Sequence, residues 1–198
     1  MVSQAGFEHL KELSNNRKDE IMKVMEKHTT VYAFIDSQNL NLGVSSLGWK
    51  IDYSKLRLYL KNKYGVKEAF MFIGMVGNNQ RLYTMLQKAG FILVFKPTIQ
   101  YFKNGKQTVK GNVDAELVLH AAAIQYPNYD KAIIVTGDGD FACLMEYLEV
   151  KGKLIHIFTP NHKYSKLLKP YAEYIVQVSK LKESIEYKKT GIGGRSKP

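Results

Sequence analysis

From Val31 onward, short apolar runs alternate with longer stretches of three-to-four-residue periodicity, a pattern that predicts β-α units around a mostly parallel sheet. The runs are VYAFI (31–35), AFMFI (69–73), FILVF (91–95), AIIVT (132–136), LIHIF (154–158) and YIVQV (174–178). Nearly all are apolar on both faces, as strands covered by helices on each side must be. Residues 52–64, 78–89, 113–126, 139–151 and 163–170 read as the helices between them, with Gly65, Gly90 and Gly152 near their ends as left-handed caps. The expected fold is α/β, a Rossmann-like open sheet flanked by helices.

Two regions depart from this alternation. Between Pro97 and Gly111, IQYF and QTVK flank Lys103-Asn104-Gly105-Lys106, and Asn-Gly predicts a hairpin turn. In the opening segment Phe7, Leu10 and Leu13, then Ile21, Val24 and Met25, predict two amphipathic helical stretches. Their apolar stripe has two outlets, the body of the protein or a second copy, and a homodimer is the expectation. The expected organisation is a helical extension over 1–30, the α/β domain over 31–180, and a basic flexible tail over 181–198. The tail's Gly191-Ile192-Gly193-Gly194 has no strand before it or helix after it, so it does not read as a phosphate loop.

Charge adds a partner to this picture. The net charge is +11, and the excess lies in the body, where residues 31–130 hold 12 basic and 6 acidic side chains. Such a surface attracts polyanions. The single cysteine, Cys143, excludes an internal disulfide and suits a reducing compartment, so a cytoplasmic location is expected. No signal peptide, membrane span or membrane partner is expected either.

Acidic residues nevertheless gather where a ligand crevice belongs, outside the carboxyl ends of the strands. The first apolar run ends in Asp36-Ser37-Gln38-Asn39, the fourth in Thr136-Gly137-Asp138-Gly139-Asp140, and Asp114 opens the helix that follows Lys110-Gly111-Asn112. Capping and helix-dipole interactions account for Asp114 and Asp140 taken singly, and turn chemistry for Asp138. Asp36 is harder to explain in this way, because an ionisable group after a buried strand needs a partner or a cation. Four carboxylates in one crevice repel one another, and an all-oxygen set suits Mg²⁺ or Mn²⁺. His9, His28, His120, His156 and His162 show no zinc spacing, and His120 and His156 read as core histidines. Gly137 and Gly139 fit either close backbone approach to a ligand or plain turn geometry.

Together, Phe34-Ile-Asp-Ser-Gln-Asn-Leu, Lys110-Gly-Asn-Val-Asp-Ala-Glu-Leu and Val135-Thr-Gly-Asp-Gly-Asp-Phe resemble the motifs of NYN domains, the LabA-like branch of the PIN-like nuclease superfamily. The resemblance implies a metal-dependent ribonuclease that leaves 5′-phosphate and 3′-hydroxyl ends. It implies Asp36, Asp114, Asp138 and Asp140 as carboxylates binding Mg²⁺ or Mn²⁺, with Asn39 as a further catalytic residue and Thr136 matching a small hydroxyl residue. The expected partner is RNA, chiefly single-stranded, with Arg81, Tyr101, Lys103, Lys106 and Lys110 as candidate contacts. Phe102 accompanies them, although a solvated hairpin packed on the body explains that set as well. The alternative is an RNA-binding or protein-interaction adaptor that keeps the fold without catalysis. A phosphatase is a weaker rival, since Asp36 is followed by Ser37 and Gln38 where aspartyl-phosphate enzymes carry Asp-x-Asp. A nicotinamide enzyme is disfavoured because no G-x-G-x-x-G follows the first strand.

Overall fold

The computed structural model describes residues 29–75, 79–96 and 114–188, together with the backbone of 99–103 and 106–110. The two N-terminal helical stretches, the Asn104-Gly105 turn and the glycine run at 191–194 lie outside the described residues. So do the side chains of Tyr101, Phe102, Lys103, Lys106 and Lys110.

Six strands form one parallel sheet: β1 (Val31–Asp36), β2 (Val66–Gly74), β3 (Ile92–Lys96), β6 (Lys131–Val135), β7 (Leu154–Thr159) and β8 (Ile175–Gln177). Their spatial order is β3-β2-β1-β6-β7-β8. The remaining pair, β4 (Ile99–Lys103) and β5 (Lys106–Lys110), is the antiparallel hairpin expected from Asn-Gly, with Lys103 opposite Lys106.

β1 runs through the middle of the sheet, and all six of its residues are buried. Because successive side chains alternate between faces, Ala33 and Ile35 serve one core while Tyr32 and Phe34 serve the other. The first core is closed by α1 (Ser37–Ser45), α2 (Tyr53–Tyr64), α3 (Gln80–Lys88) and the short α6 (Lys182–Ile185), through Leu40, Leu56, Leu60, Leu86 and Ile185. The second is closed by α4 (Asp114–Leu119) with its π-helical continuation His120–Ile124, and by α5 (Ala142–Val150), through Leu117, Ala121, Leu144 and Leu148. Helices therefore cover both faces, which is the doubly wound arrangement.

Four local differences from the sequence reading have physical causes. α1 is absent from that reading because only Leu40 and Val44 of SQNLNLGVS carry a buried apolar signal. The run 91–95 is an edge strand, with Ile92 43% and Phe95 37% exposed, so it lacks cover on the side away from β2. The helix expected at 163–170 is a 3₁₀ run over Lys166–Tyr174 that contains Pro170 and is broken at Tyr171. Finally, residues 181–187 are not a tail: Leu181 packs on the first core, Ile185 is buried, Ile51 bridges Glu186, and the Tyr187 amide donates to the Lys50 carbonyl at 2.9 Å. Their apolar pair at i, i+4 spacing is what holds them there.

Candidate active site

In open α/β sheets the crevice lies where the strand order reverses, outside the carboxyl ends of the strands. Here that point falls between β1 and β6, which are neighbours although about 100 residues separate them in sequence. β1 delivers Asp36 to this edge, and β6 delivers Thr136, Gly137 and Asp138.

Asp36 is only 6% exposed. Its Oδ1 accepts the Asn39 amide at 3.0 Å and so caps α1, while its Oδ2 accepts a long hydrogen bond from the Thr136 hydroxyl at 3.4 Å. The fully buried Thr136 hydroxyl also accepts the Asp138 amide at 3.2 Å, and Asp138 Oδ1 accepts the Asp140 amide at 3.1 Å. Across the crevice, the Gly137 amide donates to Asn39 Oδ1 at 2.8 Å. That bond fixes which end of the Asn39 amide is oxygen, leaving Nδ2 as a donor.

Burial pushes the Asp36 carboxyl above its ordinary range; Asp114 and Asp138 push it further, against the lowering effect of the Asn39 amide and the Thr136 hydroxyl. Asp114, half-buried in the first turn of α4, is likewise raised by burial and then by Asp138 and Asp140, with Lys96 acting in the opposite direction. Asp36 thus stands in the field of Asp114 and Asp138, and Asp114 in that of Asp138 and Asp140. Lys96, at the carboxyl end of β3, is a site neighbour absent from the sequence-based set, and only strand register brings it there.

The two glycines resolve to packing. A Cβ on Gly139 would lie 2.2 Å from Ser165 Oγ, and one on Gly137 would lie 3.2 Å from the Pro160 ring. The close approach is therefore made by the loop and 3₁₀ run after β7. His120 and His156 lie among aromatic rings, 5.3 Å from Phe72 and 4.8 Å from Tyr64, with burial lowering both pKa values. Arg81 is exposed in the first turn of α3, at the same edge of the sheet, where the helix dipole disfavours a cation.

Among the described residues, no three His, Cys, Asp or Glu side chains converge closely enough to clasp one metal ion. The donor set nonetheless fits a hard cation. Mg²⁺ commonly takes only one or two carboxylates and keeps several waters, and a buried carboxyl raised by like-charged neighbours is what a cation relieves.

A further groove adjoins this crevice. It has a volume of about 160 Å³ and is lined by Asn39, Leu42, Gly43, Gly137, Pro160, Asn161 and Lys163. No helix among the described residues is long and apolar enough to cross a membrane.

Known proteins place this architecture. The fold matches the crystal structure of VPA0982, a protein of unknown function from Vibrio parahaemolyticus RIMD 2210633. The match has a TM-score of 0.67 and 21% identity, and covers 80% of this chain and 96% of that one. No curated protein matches the chain. The family model for the NYN domain matches residues 30–179, spanning the whole six-stranded sheet and every acidic segment of the crevice, and the chain belongs to the NYN domain family.

Proposed function

We propose that this protein is a ribonuclease dependent on Mg²⁺ or Mn²⁺, hydrolysing RNA phosphodiester bonds to 5′-phosphate and 3′-hydroxyl ends. The observation that carries this reading is the gathering of Asp36, Asp114 and Asp138 at the strand-order reversal of a protein with net charge +11: the Thr136 hydroxyl joins Asp36 to the Asp138 backbone, and neighbouring carboxylates raise Asp36 and Asp114. NYN domains as a family are generally nucleases, and that is the family's contribution to the argument.

Asp36 and Asp138 would hold the ion, with Asp114 and Asp140 completing its shell or orienting its waters. A divalent cation held there would supply a lowered pKa for a bound water and polarisation of the phosphoryl group. Thr136 keeps Asp36 and the Asp138 backbone in register through its single hydroxyl. Asn39, anchored by its Oδ1, aims Nδ2 as a donor to a non-bridging phosphate oxygen. As water oxygen bonds to phosphorus the P–O3′ bond breaks, so the phosphate stays on the 5′ oxygen and the 3′ oxygen leaves as a hydroxyl. Arg81 and Lys96, with the lysines of the β4–β5 hairpin, supply the cationic approach that holds the strand.

An adaptor reading draws on a different observation: Asp36 Oδ1 and Asp138 Oδ1 already cap backbone amides, a role that needs no ion. End-labelled single-stranded and hairpin RNA, incubated with Mn²⁺, Mg²⁺ or chelator, separates the two. The nuclease reading expects metal-dependent cleavage that Asp138→Asn abolishes while binding persists. Binding with no cleavage under any metal supports the adaptor instead.

A further inference from the structure

The groove beside Asn39 is continuous with the carboxylate crevice, because Asn39 and Gly137 belong to both. Its floor is the Pro160 ring, pressed so close that a Cβ on Gly43 would meet Pro160 Cβ at 2.4 Å. Leu42, 58% exposed although its helix neighbours Leu40 and Val44 are buried, forms an apolar wall. The exposed Lys163 stands at the rim. Asn161 shapes the groove without being free to bind: its Nδ2 donates to the Gly43 carbonyl at 2.7 Å, and its Oδ1 accepts the Lys163 amide at 2.7 Å. Those two bonds tie the loop after β7 to α1 and fix where the Lys163 side chain begins.

At about 160 Å³ the groove is smaller than the roughly 300–1,000 Å³ of clefts that enclose a whole small-molecule ligand. One flat ring or one sugar fills it. An apolar wall and floor, one cation at the rim and one amide donor at the inner end match a nucleotide: a ring for Leu42 and Pro160, a phosphate for Lys163 and another for Asn39. A base paired in a duplex cannot lay its face on such a surface, whereas an unpaired one can.

We propose that this groove is a subsite for one unpaired nucleotide of the RNA strand, next to the scissile phosphate, with Leu42 and Pro160 receiving the base or ribose and Lys163 its outer phosphate. The proposal rests on the nuclease reading for the position of the scissile bond. It makes Leu42 and Lys163 determinants of strand preference, and neither stands among the carboxylates.

The test uses the full chain and a fluorescent single-stranded hexaribonucleotide, followed by anisotropy in chelator so that no turnover intervenes, and then by steady-state cleavage with Mn²⁺. Leu42→Asp and Lys163→Glu should each weaken single-strand binding about 10-fold, as loss of a base-stacking contact does. Both should raise KM more than they lower kcat and leave affinity for a blunt RNA duplex unchanged; Lys163→Arg should restore binding. Lys151→Glu, an exposed cation at the end of α5, controls for net charge and should change little. Single-strand binding by Leu42→Asp and Lys163→Glu equal to that of Lys151→Glu overturns the subsite even where cleavage is robust. Absence of cleavage by the unaltered protein with any metal overturns the nuclease reading, and the anisotropy arm still decides the groove.

Discussion

The two edges of the sheet treat charge in opposite ways. At the amino ends of the strands, cations are captured by backbone carbonyls. Lys153 Nζ donates to the carbonyls of Tyr126 and Tyr129 and lies over both rings, 4.2 Å and 4.5 Å from their centroids. The Arg57 guanidinium spans the carbonyls of Gly90, Val66 and Lys67, and Lys131 Nζ reaches that of Gly152. At the carboxyl ends of β1 and β6, by contrast, Asp36 and Asp114 are raised by burial and by other carboxylates. One edge satisfies its charges internally and serves stability. The other keeps carboxylates crowded against one another, a tension that a bound cation would relieve and that the proposed function puts to use.

Substitutions at the two edges sharpen this contrast. The largest effect expected is Asp138→Asn, a loss of about 100-fold or more in metal-dependent cleavage, measured on end-labelled RNA, with the melting temperature nearly unchanged. Thr136→Val keeps the shape but removes the hydroxyl that joins Asp36 to the Asp138 amide. Cleavage should fall about 10–100-fold, and thermal melting should show a cost of about 1–2 kcal/mol from the orphaned partners. Lys153→Met should do the reverse. Losing both carbonyl contacts costs about 1–2 kcal/mol, a drop of roughly 2–8 °C in melting temperature for a chain of this size, with cleavage per folded molecule unaltered. An Asp138→Asn protein with full activity, or a Lys153→Met protein with normal stability and no activity, would erase the distinction between the edges.

The smallest effect concerns pH. Asp36 and Asp114 have folded pKa values raised above the ordinary 3.8, so the folded state binds protons more tightly than the unfolded one. Their stabilising contribution is complete below the ordinary carboxylate range and is lost as pH rises through the raised values. In chelator, calorimetric melting temperature should therefore decline over that window. Asp36→Asn should flatten the decline while preserving the α1 cap, because Asn caps as well as Asp. Millimolar Mn²⁺ should raise the melting temperature of the unaltered protein, and raise it less in Asp36→Asn. Identical pH profiles for the two proteins would mean that Asp36 is no more strained than a surface carboxylate.

The strands themselves, though not their spatial order, were legible because a parallel sheet covered on both faces writes itself as continuous apolar runs, and β1 is the clearest case. Asp36 and Asp138 stood out as candidates because Asp36 directly follows one such run and Asp138 follows another with one residue between. α1 was hidden by its own chemistry: the side chain that starts it is Asp36, which the sequence presents as a reactive group, and its interior is mostly polar. Lys163 could not be singled out, since no local pattern sets it apart from the other lysines of a basic chain, and Lys96 reads only as one of the lysines of the acid-free stretch that ends at Lys110. Lys96 reaches the site through the pairing of β3 with β2, and Lys163 reaches the groove through a loop held by the Asn161 amide. Likewise the short amphipathic segment at 181–185 reads as tail until Ile185 is seen under α2.

The neighbouring placement of β1 and β6 has a consequence for the life of the protein before it is finished. Asp36 leaves the ribosome about a hundred residues ahead of Thr136 and Asp138, and until β6 slots in beside β1 no half of the crevice can act alone. On the proposed nuclease reading, a polypeptide born within a machine made largely of RNA would carry its site disassembled, and complete it only once β6 has been made.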